Sequence, residues 1–124
     1  MIEFESLDRC AAYVAARAAV EAIDTAAPAW SEDVATHARQ RAVDVVMTIA
    51  DAVANQVGSA GRRRCLRTAL ATAIELAATL DVARALGARD EPTVDAQRSA
   101  GRTVAMLRLF FLATTHPIEE VRIM

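Results

Sequence analysis

The segment from residue 62 to residue 86 carries the most regular hydrophobic pattern in the chain. Its apolar residues recur at alternating intervals of three and four positions: Leu66, Ala69, Ala73, Leu76, Leu80 and Ala83. This is the spacing with which one face of an α-helix packs against other helices, whereas a β-strand would bury every second residue. The pattern predicts a long amphipathic helix whose seam faces a helical core.

Three short segments interrupt the helical pattern elsewhere. They are residues 27–31 (APAWS), 57–61 (VGSAG) and 87–93 (GARDEPT). In the first of them, Pro28 disfavours helix at the residue before it, and Ser31 is a suitable N-cap for the helix that follows. The chain is therefore divided into four predicted helices.

The third interruption contains both a stop signal and a start signal. Gly87 can end one helix, and Pro92 or Thr93 can begin the next. Because the connections are short, consecutive helices should run antiparallel. The sequence therefore predicts an all-α, up-and-down four-helix bundle over residues 1–115, followed by a C-terminal tail at 116–124. The apolar residues of this tail favour docking.

The predicted core seams of the first two helices are weaker than that of the third. In the second helix the seam consists of Val34, Ala38, Val45, Ile49 and Ala52. In the first helix it consists of Phe4, Leu7, Ala11, Val14 and Ala18.

Length and composition limit the class of protein. A chain of 124 residues is the size of one domain, and its formal net charge of −2 shows no basic excess of the kind common in nucleic-acid and membrane-surface proteins. The acidic start MIEFESLDR does not resemble a secretory signal, and the apolar run at 104–113 is too short to span a membrane. We therefore expect a cytoplasmic protein.

The fourth helix has more apolar surface than one core can cover. The stretch TVAMLRLFFLA is apolar almost all round, although a helix in a small bundle turns only one face toward its own core. The surplus predicts a homo-oligomer with an interface formed by Met106, Phe110 and Phe111.

No pattern in the chain indicates catalysis, a metal or a cofactor. Neither His37 nor His116 stands in a Glu-x-x-His motif, and the GSAG turn lacks the spacing and the lysine of a phosphate-binding loop. Cys10 and Cys65 do not form a disulfide or zinc pattern, so buried, reduced thiols are expected. The sequence predicts a protein without enzymatic activity.

Polar residues on the second and third helices are predicted to have structural roles. If these helices form a hairpin, residues whose numbers sum to about 117 face each other. Arg41 then lies near Glu75, and Asp51 lies near Arg67. The register predicts ion pairs between the helices rather than an acid–base pair.

Four arginines crowd the start of the third helix. Positive charges at a helix N-terminus oppose the helix dipole, so local helix energetics do not account for them. Two interpretations stay open: acidic residues of the chain ends neutralise the cluster, or the cluster binds RNA or DNA phosphates. The cluster consists of Arg62, Arg63, Arg64 and Arg67, and the acidic residues are Glu3, Glu5, Asp8, Glu119 and Glu120.

Short motifs along the chain resemble those of one helical family. They are FESL at 4–7, the aromatic and proline at 28–30, TIADA at 48–52, ATAIEL at 71–76, LDVARALG at 80–87 and AML at 105–107. In this order they are similar to the four-helix bundle family that includes 23S rRNA intervening-sequence proteins and the accessory variability proteins of diversity-generating retroelements. The Gly-x-Gly-Arg turn typical of that family is replaced here by VGSAGRRR.

The resemblance implies a homopentamer, and the retroelement members bind nucleic acid and a reverse transcriptase. Two functions follow as expectations. One is a non-enzymatic oligomeric scaffold or adaptor that binds a protein partner. The alternative is a nucleic-acid-binding accessory protein, with an RNA or DNA ligand and a partner of the reverse-transcriptase type, that uses the arginine cluster of the third helix.

Overall fold

A computed structural model describes residues 7–115 of the chain. Within that range the fold is all-α, as predicted, with no β-strand. The four α-helices are α1 (Ala11–Ala26), α2 (Glu32–Ala54), α3 (Ala60–Ala85) and α4 (Glu91–Thr115), and a short 3₁₀ helix (Ala27–Ala29) follows α1. None of these helices is long and apolar enough to cross a membrane.

The core consists of two buried clusters, one at each end of the bundle. One cluster joins the end of α1, the start of α2, the end of α3 and the start of α4, and includes Trp30. The other joins the opposite ends of the same helices, next to Arg62. The helices therefore alternate in direction, and each packs against two neighbours, with α4 returning to α1. We call the two ends the Trp30 end and the Arg62 end.

The seam predicted for α3 is the one that the structure buries. All six of its residues are inaccessible to solvent or nearly so. In α2 four of the five predicted residues are buried, while Val34 is only partly buried and Ala35 and Ala42 complete the row.

The seam predicted for α1 is wrong. Val14 is 50% exposed, and Ala11 and Ala18 are also exposed. The core-facing residues lie on an adjacent strip of the helix: Ala12, Ala15, Ala16, Ala19, Ile23 and Ala26. The backbone is extended at Cys10, which separates α1 from the helical residues Leu7 and Asp8. Phe4, the first residue of the predicted seam, lies outside the described residues.

The connections at the Trp30 end follow the predicted capping chemistry. The Ser31 hydroxyl accepts a hydrogen bond from the backbone N–H of Val34, as expected of an N-cap. After α3, Gly87 has a φ of 108°, and the N–H of Ala88 donates to the carbonyl of Ala83 at 3.1 Å. This left-handed turn satisfies carbonyls at the helix end and favours glycine.

A buried hydrogen-bond chain joins the 3₁₀ segment to the start of α4. Trp30 Nε1 donates to Thr93 Oγ1 at 2.9 Å, and this hydroxyl donates to Asp90 Oδ1 at 2.8 Å. The other carboxylate oxygen of Asp90 accepts from the backbone N–H of Thr93. The Thr93 hydroxyl is the main cause that lowers the pKa of Asp90 below its ordinary value. Asp90 therefore caps α4, one position before the helix begins.

Candidate functional site

The Arg62 end brings together most of the residues that the sequence singles out. Here α2 ends and α3 begins after a short turn in which Gly58 has a φ of 80°. The Ser59 hydroxyl accepts a hydrogen bond from the backbone N–H of Arg62 and so caps α3. Asn55 lies so close to Gly61 that a side chain on Gly61 would collide with it.

The side chain of Arg62 caps the C-terminal end of α2, although Arg62 itself lies at the start of α3. Its Nε donates to the carbonyl of Ala52 at 2.9 Å, and Nη2 donates to the carbonyl of Val53 at 3.3 Å. The last carbonyls of a helix have no partner within the helix and form the negative end of its dipole. The guanidinium also lies 5.7 Å from the ring centroid of Phe110 on α4. One cation thus links three helices.

The other three arginines of the cluster have different surroundings. Arg63 donates to the carbonyl of Gly58 at 3.1 Å. Arg64 and Arg67 are exposed, and neither forms an ion pair with residues 7–115. Asp8 also forms none within this range, so the predicted neutralisation by Asp8 is not seen. Glu3, Glu5, Glu119 and Glu120 lie outside the described residues, as does the tail at 116–124.

A groove of about 620 Å³ opens between α1 and α4 at this end. Its walls are mainly apolar, with Met106, Leu109 and Phe110 on α4 and Val53 on α2. Arg62 and two residues near the start of α1, Arg9 and Cys10, also line it. An apolar floor beside cationic side chains can bind an acidic, apolar segment, but it holds no general base or nucleophile–base pair.

Two of the three predicted interface residues, Met106 and Phe110, line this groove, whereas Phe111 does not. Met106, Phe110 and Phe111 are each partly buried and pack against the core cluster of the Arg62 end. Leu107 is fully buried on the core face, whereas Leu109 is 60% exposed. Leu109 was not among the predicted interface residues, although it belongs to the same apolar stretch. The apolar sequence of this stretch indicates which helix has surplus apolar surface. The burial of each side chain shows which face of that helix packs in the core and which face is exposed.

One of the two ion pairs predicted between α2 and α3 is present. Arg41 Nε lies 3.0 Å from Glu75 Oε2, although the buried Nε makes no hydrogen bond among the described residues. Arg41 also approaches Asp44 on its own helix at 3.5 Å. Because Glu75 is more than half exposed, this pair is expected to contribute no more than about 1 kcal/mol.

The second predicted pair is absent. Within residues 7–115, Asp51 forms no ion pair with Arg67 or with any other cation. Both side chains are exposed on the outer surfaces of their helices, where water solvates them separately. Asp51 takes part in a cap through its backbone carbonyl, which accepts from Asn55 Nδ2 at 2.8 Å.

The residues whose side chains can bind metals are dispersed over the part of the chain that the structure describes. Between residues 7 and 115 no group of three or more His, Cys, Asp or Glu could hold a metal ion. Cys10 and Cys65 are free thiols, and both are partly buried rather than fully buried as expected.

Comparisons with known proteins give no match: no protein-family model matches the chain, and no curated protein matches it in sequence. The resemblance to the intervening-sequence and retroelement accessory proteins therefore stays a prediction that rests on the short motifs.

Proposed function

We propose that the chain is a non-enzymatic scaffold or adaptor subunit that forms a cytoplasmic homo-oligomer through α4 and binds a protein partner. A pentamer is the assembly that the family resemblance implies. The observation that carries the proposal is the apolar surface at the C-terminal half of α4. There Leu107 fills the core, while Leu109 points away from it and is 60% exposed beside Met106 and Phe110.

The burial pattern explains why this surface favours a protein contact. Met106, Phe110 and Phe111 are covered on one side by the core of their own subunit and open on the other. Met106, Leu109 and Phe110 line one groove, so they form contiguous apolar area rather than scattered single residues. Such contiguous patches on small domains usually mark association sites, because their transfer from water is favourable by roughly 25 cal/mol per Å².

The test compares Leu109→Glu with a matched control, Val82→Glu. Val82 is 48% exposed on α3 near the Trp30 end, so both changes place a carboxylate on a solvent-facing helical position. Leu109→Glu should lower the mass measured by light scattering after gel filtration, and Val82→Glu should leave it unchanged. Equal masses for Leu109→Glu and the unaltered protein would contradict the role of α4.

Nucleic-acid binding is the second candidate, and one observation favours it. Arg64 and Arg67 project from the Arg62 end without an ion pair among residues 7–115, so their charges are available for phosphates. The purified protein should then bind structured RNA or DNA with an affinity that falls steeply between low and moderate salt. Arg64→Ala combined with Arg67→Ala should abolish that binding. No binding at low salt would reject this candidate.

A further inference from the structure

The outer face of α1 carries a second apolar row beside the one in the core. Ala11, Val14 and Ala18 recur at intervals of three and four positions, and Val14 is 50% exposed. With Met106 they line a groove of about 520 Å³ between α1 and α4. This spacing is the one that a helix presents to another helix, and no helix within residues 7–115 covers the row.

The border of this groove has more cations than anions. Arg9, Arg98 and Arg102 line it, together with Asp8 and Asp95. Asp95 pairs with Arg98 at 3.3 Å, whereas Arg9 and Arg102 form no ion pair with residues 7–115. A helix that carries carboxylates beside an apolar row would complement this border in both shape and charge.

The outer face of α2 has these properties. Val43 and Met47, one helical turn apart, are 49% and 58% exposed. Asp44 and Asp51 are also exposed and lie almost two turns apart, so they occupy one side of that apolar pair. Asp51 has no ion pair among the described residues, and Asp44 has only the 3.5 Å contact with Arg41.

The outer face of α3 is a poorer match. It also exposes apolar side chains, Ile74 and Val82. Its acidic groups are already engaged, because Glu75 pairs with α2 and Asp81 accepts a hydrogen bond from Gln97 of α4. Of the two faces, only that of α2 therefore combines exposed apolar side chains with a carboxylate, that of Asp51, which has neither an ion pair nor a hydrogen bond among the described residues.

We infer that the α1–α4 groove of one subunit binds the outer face of α2 from a second copy of this chain. The two surfaces are different, so the contact is head-to-tail, and each copy keeps one surface for a further copy until a ring closes. Met106 belongs to this groove and to the α4 surface described above, so the two regions are continuous. The inference rests on the proposed function, since it names the two surfaces of the proposed homo-oligomer.

The experiment uses one variant on each surface of the full chain. Val14→Arg fills the apolar groove with a long side chain, and Met47→Arg places a cation on the α2 face, opposite the arginines that border the groove. Each variant alone should sediment at the monomer mass of 13.3 kDa. An equimolar mixture should form a species of twice that mass and nothing larger, because only one intact groove and one intact face can pair. The control Val82→Glu should assemble like the unaltered protein.

Other outcomes overturn the inference and separate it from the proposed function. If the unaltered protein is a monomer, the proposed homo-oligomer fails and the inference fails with it. If the unaltered protein assembles, the inference alone fails when either variant still assembles, when the mixture forms no dimer, or when the control dissociates. Circular dichroism checks that each variant is folded. Should Val14→Arg not fold, the exposed change Arg102→Glu takes its place with the same expected result.

Discussion

At the scale of single residues, Thr93 connects two segments of the bundle through one hydroxyl group. Its hydroxyl accepts from Trp30 and donates to Asp90, so it joins the 3₁₀ segment to the N-terminus of α4. The Thr93 side chain is fully buried and its bond with Trp30 lies in the core, whereas the Asp90 carboxylate is exposed. A buried indole N–H that loses its acceptor carries the full desolvation penalty.

Thr93→Val keeps the shape of the side chain and removes both hydrogen bonds. We expect it to lower the free energy of unfolding by about 1–3 kcal/mol. The control is Thr25→Val, since the exposed Thr25 hydroxyl bonds only to a carbonyl of its own helix. The free energy of unfolding of Thr25→Val should stay within about 0.5 kcal/mol of that of the unaltered protein. Urea denaturation measures both values, and equal values for the two variants would show that the buried chain contributes little.

The carboxylate of Asp90 makes stability depend on pH. Its folded-state pKa is lowered, first by the hydrogen bond from Thr93, so the unfolded chain takes up the proton at higher pH than the folded protein. The stabilisation is therefore fully present above the ordinary aspartate pKa of about 4 and is lost as the pH falls through the lowered value. Asp90→Asn keeps a good N-cap but removes the charge.

The expected signature is a difference in melting temperature that depends on pH. The unaltered protein should melt at a higher temperature than Asp90→Asn near pH 7, and the gap should shrink as the pH falls below about 4. Thermal melts between acidic and neutral pH measure this. A gap that stays constant over the whole range would mean that the charge of Asp90 is not the cause.

At the scale of the elements, Arg62 explains why a helix can begin with cations. The charge that opposes the dipole of α3 lies against the carbonyl end of α2, where it is favourable. Such a pairing is available because the two helices form a hairpin. Adjacent antiparallel helices place one N-terminus beside one C-terminus, so a local sequence rule that considers one helix alone misses the interaction.

Replacing Arg62 by Ala should destabilise the bundle, and Arg64→Ala should not. The first change removes two charge-assisted hydrogen bonds to helix carbonyls and the contact with Phe110. We therefore expect the free energy of unfolding to fall by about 1–2 kcal/mol. Arg64 is exposed and has no hydrogen bond or ion pair within residues 7–115. Thermal or chemical denaturation distinguishes the two variants, and equal stabilities would contradict the capping role.

The helices differ in how far their sequences predict their packing. The seam of α3 is predictable because large residues such as Leu66, Leu76 and Leu80 mark one face. In α1 alanine occupies both the buried strip and the strip beside it, so these two adjacent strips are nearly equal in apolar character. Contacts with α2 and α4 decide which strip is buried, and these contacts are not encoded in the period of α1 alone. The sequence likewise predicts that α4 is a helix, but it does not predict which face of α4 is buried.

At the scale of the whole molecule, apolar residues are distributed over the outside as well as the core. Exposed apolar side chains occur on all four helices, and carboxylates and arginines border different faces. A monomer gains nothing from this arrangement, because exposed apolar area lowers solubility without adding to the core. We propose that a homo-oligomer covers the part of this area that lies on α1, α2 and α4.

Sedimentation equilibrium of the unaltered chain at micromolar concentrations measures whether it forms a homo-oligomer. We expect an assembly whose mass is a multiple of 13.3 kDa, with a pentamer as the form that the family resemblance implies. The assembly should persist at moderate salt, since its contacts are largely apolar and only partly ionic. A single species of 13.3 kDa over the whole micromolar range would contradict it.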